Sequence, residues 1–407
     1  MSLGVGRGLG APLLLVILSG GGAVYGITRA GQEFLDRHWH RPLPPQGAPP
    51  ARFSPLERSL GPSSCGVCHP AQWNDWQTTV HARSMGPGVR GQLAETAHTD
   101  PASVGPCLDC HAPLAEQRRE SEAPAGRVAN ADFDPSLERQ GLVCAACHVR
   151  HWERFGPPRP DGTLASEAPR ASLPHDGATR TAAFLRSEFC KSCHQFAADG
   201  YALNGKPLEN TYEEWRASPA ARRRLQCQSC HMPDRRHLWR GIHDPEMVRS
   251  GIEVSLVMGR PRYRPGEQVT ATLVVINTGV GHYFPTYVTP RVVVRTSLID
   301  TAGRPVAGSL EEATIGREVT LDLSRELADT RIAPGGRFTV RYRRRLDRPG
   351  LRLAVSVTVY PDHFYTGFFE SLLEGGRAGA GAGQIREALE KARRSSYPIF
   401  SRELPLT

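Results

Sequence analysis

Ten cysteines fall into five pairs with two residues between partners: Cys65/Cys68, Cys107/Cys110, Cys144/Cys147, Cys190/Cys193 and Cys227/Cys230. Each second cysteine is followed at once by a histidine, namely His69, His111, His148, His194 and His231. Covalent haem attachment needs this spacing. Two thiols on one helical turn add to the two vinyl groups of a porphyrin, and the next side chain reaches the iron. A zinc reading would pair neighbouring units into four-ligand sites, but five units are odd in number and lie about 37 to 46 residues apart, beyond ribbon spacing. A disulfide framework leaves the histidines unexplained. Histidine is 15 of 407 residues, so five chance occurrences have a probability of about 7 × 10⁻⁸. The expectation is five covalent haem c groups, held by the ten cysteines and ligated by the five motif histidines.

The surrounding residues carry a resemblance. Cys65-Gly66-Val67-Cys68-His69-Pro70 with Gln72, Trp76 and His81-Ala82 resembles the opening haem segment of the multihaem cytochromes that include pentahaem nitrite reductase, hydroxylamine oxidoreductase and their tetrahaem electron-transfer partners. Phe189 to Phe196, Asn210 to Trp215 and Cys227 to Pro233 resemble later segments of that group. The likeness covers roughly residues 63 to 290 and marks the group rather than one activity. Nitrite reductases of this superfamily replace the motif histidine of their open haem by lysine, whereas all five motifs here end in histidine.

Ten further histidines are available as sixth ligands. His81 lies twelve residues after His69 on a stretch bearing Trp73 and Trp76, where a helix would point it towards another haem. His237 and His243 follow the fifth motif, and at least one of them is expected to bind iron. The resemblance implies a ligand at His175. His282 sits in Asn277-Thr278-Gly279-Val280-Gly281-His282, where glycines would let the backbone approach a bulky group. That loop resembles a Gly-His loop in the β-domains of some multihaem cytochromes, which implies iron ligation by His282. His98 and His151 are reserves. His38, His40 and His363 read as linker or loop residues.

Positioning these groups requires several units, since 407 residues exceed one ordinary core. Residues Ala11 to Ile27 form an uncharged, mostly apolar run behind Arg7, so 1–30 reads as a signal peptide or N-terminal membrane anchor, the anchor being preferred. Prolines crowd 31–62, which reads as a semi-rigid linker. Every cysteine then lies in 63–250, the haem domain, expected to be mainly α-helical and irregular. From 251 to 373, alternating apolar runs such as Ile252 to Met258, Val269 to Ile276 and Leu351 to Tyr360, separated by turns such as Arg264-Pro265-Gly266, predict an all-β, Ig-like sandwich. Residues 374–407 read as a glycine-rich linker and a short helix near Ile385 to Arg394.

Composition is consistent with prosthetic groups supplying core. Hydrophobic residues make up 39% and aromatics 7%, a thin supply that porphyrin would supplement. The formal charge of +9 is offset by about −10 if five reduced haems each contribute two propionates. No basic stretch interleaved with aromatics supports nucleic-acid binding. Two functions follow. The first is an extracytoplasmic electron carrier, periplasmic and possibly held at the inner membrane, whose mostly bis-histidine haems relay electrons between redox-protein donor and acceptor. The second is a reductase of a small nitrogen or sulfur oxyanion with one open haem. A metal-free β-domain is expected to dock a partner or a second copy of the chain.

Overall fold

The structure is a computed structural model that describes residues 27–123, 126–166, 170–198 and 200–407. The apolar run before Ile27 lies outside them, and among the described residues no helix is long and apolar enough to cross a membrane.

The chain begins with α1 (Arg29–His38), capped by the Thr28 hydroxyl accepting from the Gly31 N–H. The following proline-rich segment, read above as a semi-rigid linker, packs against the rest of the chain. Leu43, Phe53 and Leu60 are buried with Leu114, Leu137, Val143, Val149 and Trp152 in one cluster. The Trp152 indole N–H donates to the Gly47 carbonyl at 2.7 Å, and the Gln46 N–H to Glu116 Oε1 at 2.6 Å. Proline forbids helix here but does not prevent an extended strap from packing.

From residue 62 onward the chain runs through short helices: α2 (Pro62–Cys68), α3 (Pro70–Trp76), α4 (Pro87–Thr99), α5 (Val104–His111), α6 (Cys144–His148), α7 (Glu188–His194), α8 (Thr211–Arg216), α9 (Pro219–Arg222), α10 (Cys227–His231) and α11 (Pro245–Gly251). Between them lie only scraps of strand: β1 (Glu120–Ala123), β2 (Gly126–Ala129), β3 (Val149–Arg150), β4 (Glu153–Gly156), β5 (Thr179–Arg180), β6 (Ala202–Leu203) and β7 (Lys206–Pro207). Prolines at the first turns of α2, α3, α4, α9 and α11 start helices without wasting a donor.

The remainder is built on β8 (Ile252–Met258), β9 (Gln268–Asn277), β10 (Arg291–Ile299), β11 (Glu311–Val319), β12 (Glu326–Asp329), β13 (Arg337–Arg345), β14 (Arg352–Tyr360) and β15 (Tyr397–Pro405). They form two antiparallel sheets, β12-β11-β10-β14-β15 and β13-β9-β8. Strict alternation in β9 and β14 turns Val269, Ala271, Leu273 and Val275 of one sheet, and Leu353, Val355, Val357 and Val359 of the other, into one shared core.

The C-terminal stretch also differs from the linker expected of it. After α12 (His363–Glu374), α13 (Ala382–Arg393) packs on α4, and β15 completes the five-stranded sheet. The glycines serve close approach: a Cβ on Gly381 would stand 1.9 Å from the Gly91 carbonyl oxygen. Polar contacts add to the union of the two regions. Buried Arg317 donates to Glu326 and to the carbonyls of Leu203, Lys206 and Pro207, while Lys206 bridges Glu326 and Asp329.

Candidate metal centres

All five motifs lie on or at the end of a short helix, α2, α5, α6, α7 and α10, so the two cysteines of each stand one turn apart and the histidine follows at the helix end. Thiols of different motifs lie close enough to shift one another's acidity in three pairs: Cys65 with Cys144, Cys110 with Cys193 and Cys190 with Cys227.

Ring orientation follows a rule. The Nδ1–H of His111 donates to the Ser84 carbonyl at 2.8 Å, that of His148 to Phe155 at 2.8 Å and that of His231 to Arg240 at 2.6 Å. Away from the motifs, His175 is held in the same way by the Gly177 carbonyl at 2.9 Å, His237 by Arg235 at 3.1 Å and His282 by Tyr283 at 2.8 Å. A carbonyl on Nδ1 fixes the tautomer that presents a lone pair on Nε2, the arrangement a metal-bound imidazole needs.

Three motif histidines face a distant histidine across a constant gap. Ring centroids are 6.2 Å apart for His194 and His81, 6.2 Å for His148 and His237, and 6.4 Å for His231 and His282. Two metal–imidazole bonds of about 2.0–2.1 Å, plus roughly 1.1 Å from nitrogen to ring centre on each side, put the centroids of a bis-imidazole pair about 6.2 Å apart. The residues therefore fit a group with an iron between each pair. Burial holds His81 down to about 3, with the charges of His194 and His231 adding to the effect. It holds His148 and His282 down to about 4, so each ring is the neutral form that ligates.

Each distal ring is positioned by its element. Leu142 donates its N–H to the His81 carbonyl at 2.9 Å, and Gly141 permits the approach, since a Cβ there would stand 2.4 Å from that oxygen. Trp239 packs edge-on against both His81 and His237. Buried Asp75 of α3 accepts from Arg236 Nε and Nη2 at 2.7 and 2.6 Å and from the His237 N–H at 3.0 Å. In the β9–β10 loop, Asn277 holds the His282 carbonyl at 3.0 Å, and Glu214 of α8 accepts from the Tyr283 N–H and the Thr286 hydroxyl. Glu214 in turn pairs with Arg331 at 2.8 Å, both side chains nearly inaccessible. Burial raises the Glu214 carboxyl against the pull of Arg331.

Other candidates fall differently. His175 lies near enough to His69 that its charge, after burial, lowers the His69 pKa, and its N–H is held by Glu57. His243 is exposed, and its Nε2 is engaged by Asp362 Oδ1 at 3.0 Å. His38, read as a linker residue, is buried with its Nε2 on the Cys147 carbonyl at 2.9 Å. His98, His151, His40 and His363 lie on the surface. Among the described residues no histidine ring is paired with His111. The phenols of Tyr287 and Tyr365 instead lie close enough to Cys107 for its charge to act on them, although burial is the main reason both are raised. Asp75 and Glu214 carried no sequence signal, because the groups they hold are far away in the chain.

The family described as "Cytochrome c554 and c-prime" matches residues 64–149. Cytochrome c-554 of Nitrosomonas europaea is 27% identical over 141 residues, 33% of this chain, and the match spans 56% of that relative's length. The penta-heme cytochrome c552 from Thermochromatium tepidum has a similar fold, with a TM-score of 0.61 and 16% identity over 87% of this chain and 100% of that one. The attachment motifs, the family match and the fold together make this chain a multihaem c-type cytochrome.

Proposed function

We propose that all five motifs carry haem c and that the chain is an electron relay outside the cytoplasm, held to the membrane through residues 1–30. Bound haem supplies a one-electron ferric/ferrous couple, and bis-histidine ligation keeps it low-spin and closed to substrate. The carrying observation is the set of three imidazole pairs at 6.2–6.4 Å. On this reading His81 serves the fourth motif, His237 the third and His282 the fifth. His175 is assigned to the first motif. His243 is not a ligand, because its Nε2 is committed to Asp362. The thiol pairs link the first motif to the third, and the fourth to both the second and the fifth; Cys147 of the third is near enough to Cys193 of the fourth for their charges to interact, which favours a route from the first through the third and fourth to the fifth. The two sheets are read as an Ig-like sandwich that contributes the His282 ligand and docks a redox partner or a second copy.

Haem stoichiometry by pyridine haemochrome and counting of low-spin ferric signals by EPR test the reading. Five haems are expected, and His282→Ala should convert one low-spin centre to high-spin. A count below five, or an unchanged spectrum in that variant, would refute it. A second reading is favoured at one motif, since His111 has no histidine partner among the described residues: this haem is open and reduces a small nitrogen or sulfur oxyanion. Carbon monoxide titration of ferrous protein separates the two, because binding to one haem supports the open site and no binding removes it.

A further inference from the structure

The strap after α1 carries Arg41 to the junction of two motifs from different parts of the chain. Its Nη1 lies 3.6 Å from Cys110 Sγ and its Nη2 2.9 Å from Cys193 Sγ. The guanidinium lies over the Trp39 ring, 5.7 Å from its centroid, and Arg150 lies over the same ring at 5.3 Å. Arg150 is buried and donates only to carbonyls, those of His38 and Val149. Among the described residues neither arginine has a carboxylate within ion-pair distance, and Arg41 Nε and Arg150 Nη2 are buried without partners. Asp109, a carboxylate whose charge acts on Arg41, is bonded to Arg118 at 2.6 Å.

We propose that Arg41 is a potential-setting residue shared by the second and fourth haem sites, with Arg150 playing the same part at the third. The inference rests on the haem assignment above. Thioether formation uncharges Cys110 and Cys193, so no thiolate remains to offset the cation. Arginine stays protonated at any ordinary pH, and in a partly buried site its field is weakly screened. A fixed positive charge disfavours the ferric state, which carries one more positive charge than the ferrous. Arg41 therefore raises the reduction potentials of both centres and eases electron entry at the junction where the second motif joins the fourth.

Spectroelectrochemical titration of the haem-loaded protein is the test. In Arg41→Gln, two reduction steps should move to lower potential by roughly a tenfold change in the ferric/ferrous equilibrium, which is 59 mV for one electron, while the others stay put. Arg41→Lys should retain most of the original potential, because charge and not shape is at work. Unmoved steps in Arg41→Gln at unchanged haem stoichiometry would overturn the inference and leave the haem assignment standing, as would an equal shift in Arg41→Lys. A haem count that already falls short in the unmodified protein would instead remove the assignment beneath it. If Arg41→Gln does not accumulate, Arg150→Gln reads the same effect at the third motif, where the charge of Arg150 acts on Cys147: one step should fall by a similar factor, and no shift there overturns the proposal.

Discussion

The two halves of this chain are held together by different means. The β-region closes its own core: Leu298, Ile315, Tyr342, Leu353, Val357 and Val359 are all but inaccessible, and they come from both sheets. The haem region has no comparable apolar centre. Its largest cluster lies under the N-terminal strap, while its middle is lined by histidines, thiols and arginines, with His81 Nδ1, Trp39 Nε1 and Arg150 Nη2 buried and unpaired. Side chains alone complete the one, and a prosthetic group completes the other. On the proposed reading, a single molecule combines a cofactor-dependent fold with a cofactor-independent one, joined by α13 on α4, by Arg317 and Lys206, and at the His282 loop.

The largest effect should come from blocking attachment. Protein made without haem insertion should lose slow hydrogen exchange across residues 63–250 while β9, β10 and β14 keep theirs. Equal loss in both halves would abolish the contrast. Next, Glu214→Ala removes one of the two carboxylates on Arg331, Asp329 remaining, together with the acceptor of Tyr283 and Thr286, and each hydrogen bond to a charged group is worth about 1.5–3 kcal/mol. Denaturant unfolding should show that loss together with a changed spectrum at one haem, because the same carboxylate holds Tyr283 and Thr286.

Leu353→Ala in the β-core should cost about 2–5 kcal/mol by the same measurement and leave every haem spectrum unchanged. Co-variation of the two would mean that the halves unfold as one. The smallest effect concerns pH. Burial opposes ionisation of Asp329, but its bonds to Arg331 and Lys206 prevail and hold it well below the ordinary carboxylate range. Its contribution is therefore fully present above the unfolded value of about 3.9 and is lost as pH falls below it. Denaturant unfolding should show stability falling as pH drops below about 4, and Asp329→Asn should abolish that part of the dependence.

Much of the β-region was legible because alternation is a local signal. Ile252 to Met258 matches β8 end to end. β11 and β15 were not legible. β11 begins Glu-Glu and carries Gly316 and Arg317, whose burial depends on partners elsewhere. β15 contains Pro398 and Pro405, tolerable only because it is an edge strand. The strap at 39–62 misled for a related reason: proline content excludes a helix but does not say whether an extended chain finds a surface to lie on.

For the candidate centres the division is sharper. Sequence alone determined the five Cys-x-x-Cys-His motifs, the place where cysteines stop and the roster of spare histidines, because these depend on spacing within a few residues. It could not decide which histidine faces which motif. His81 and His194 are 113 residues apart, yet their rings lie 6.2 Å from each other. Nor could it turn His243 outward to Asp362 or bring Arg41 to Cys110 and Cys193. Those outcomes belong to the tertiary structure, since pairing across distant segments is chosen by how whole elements pack.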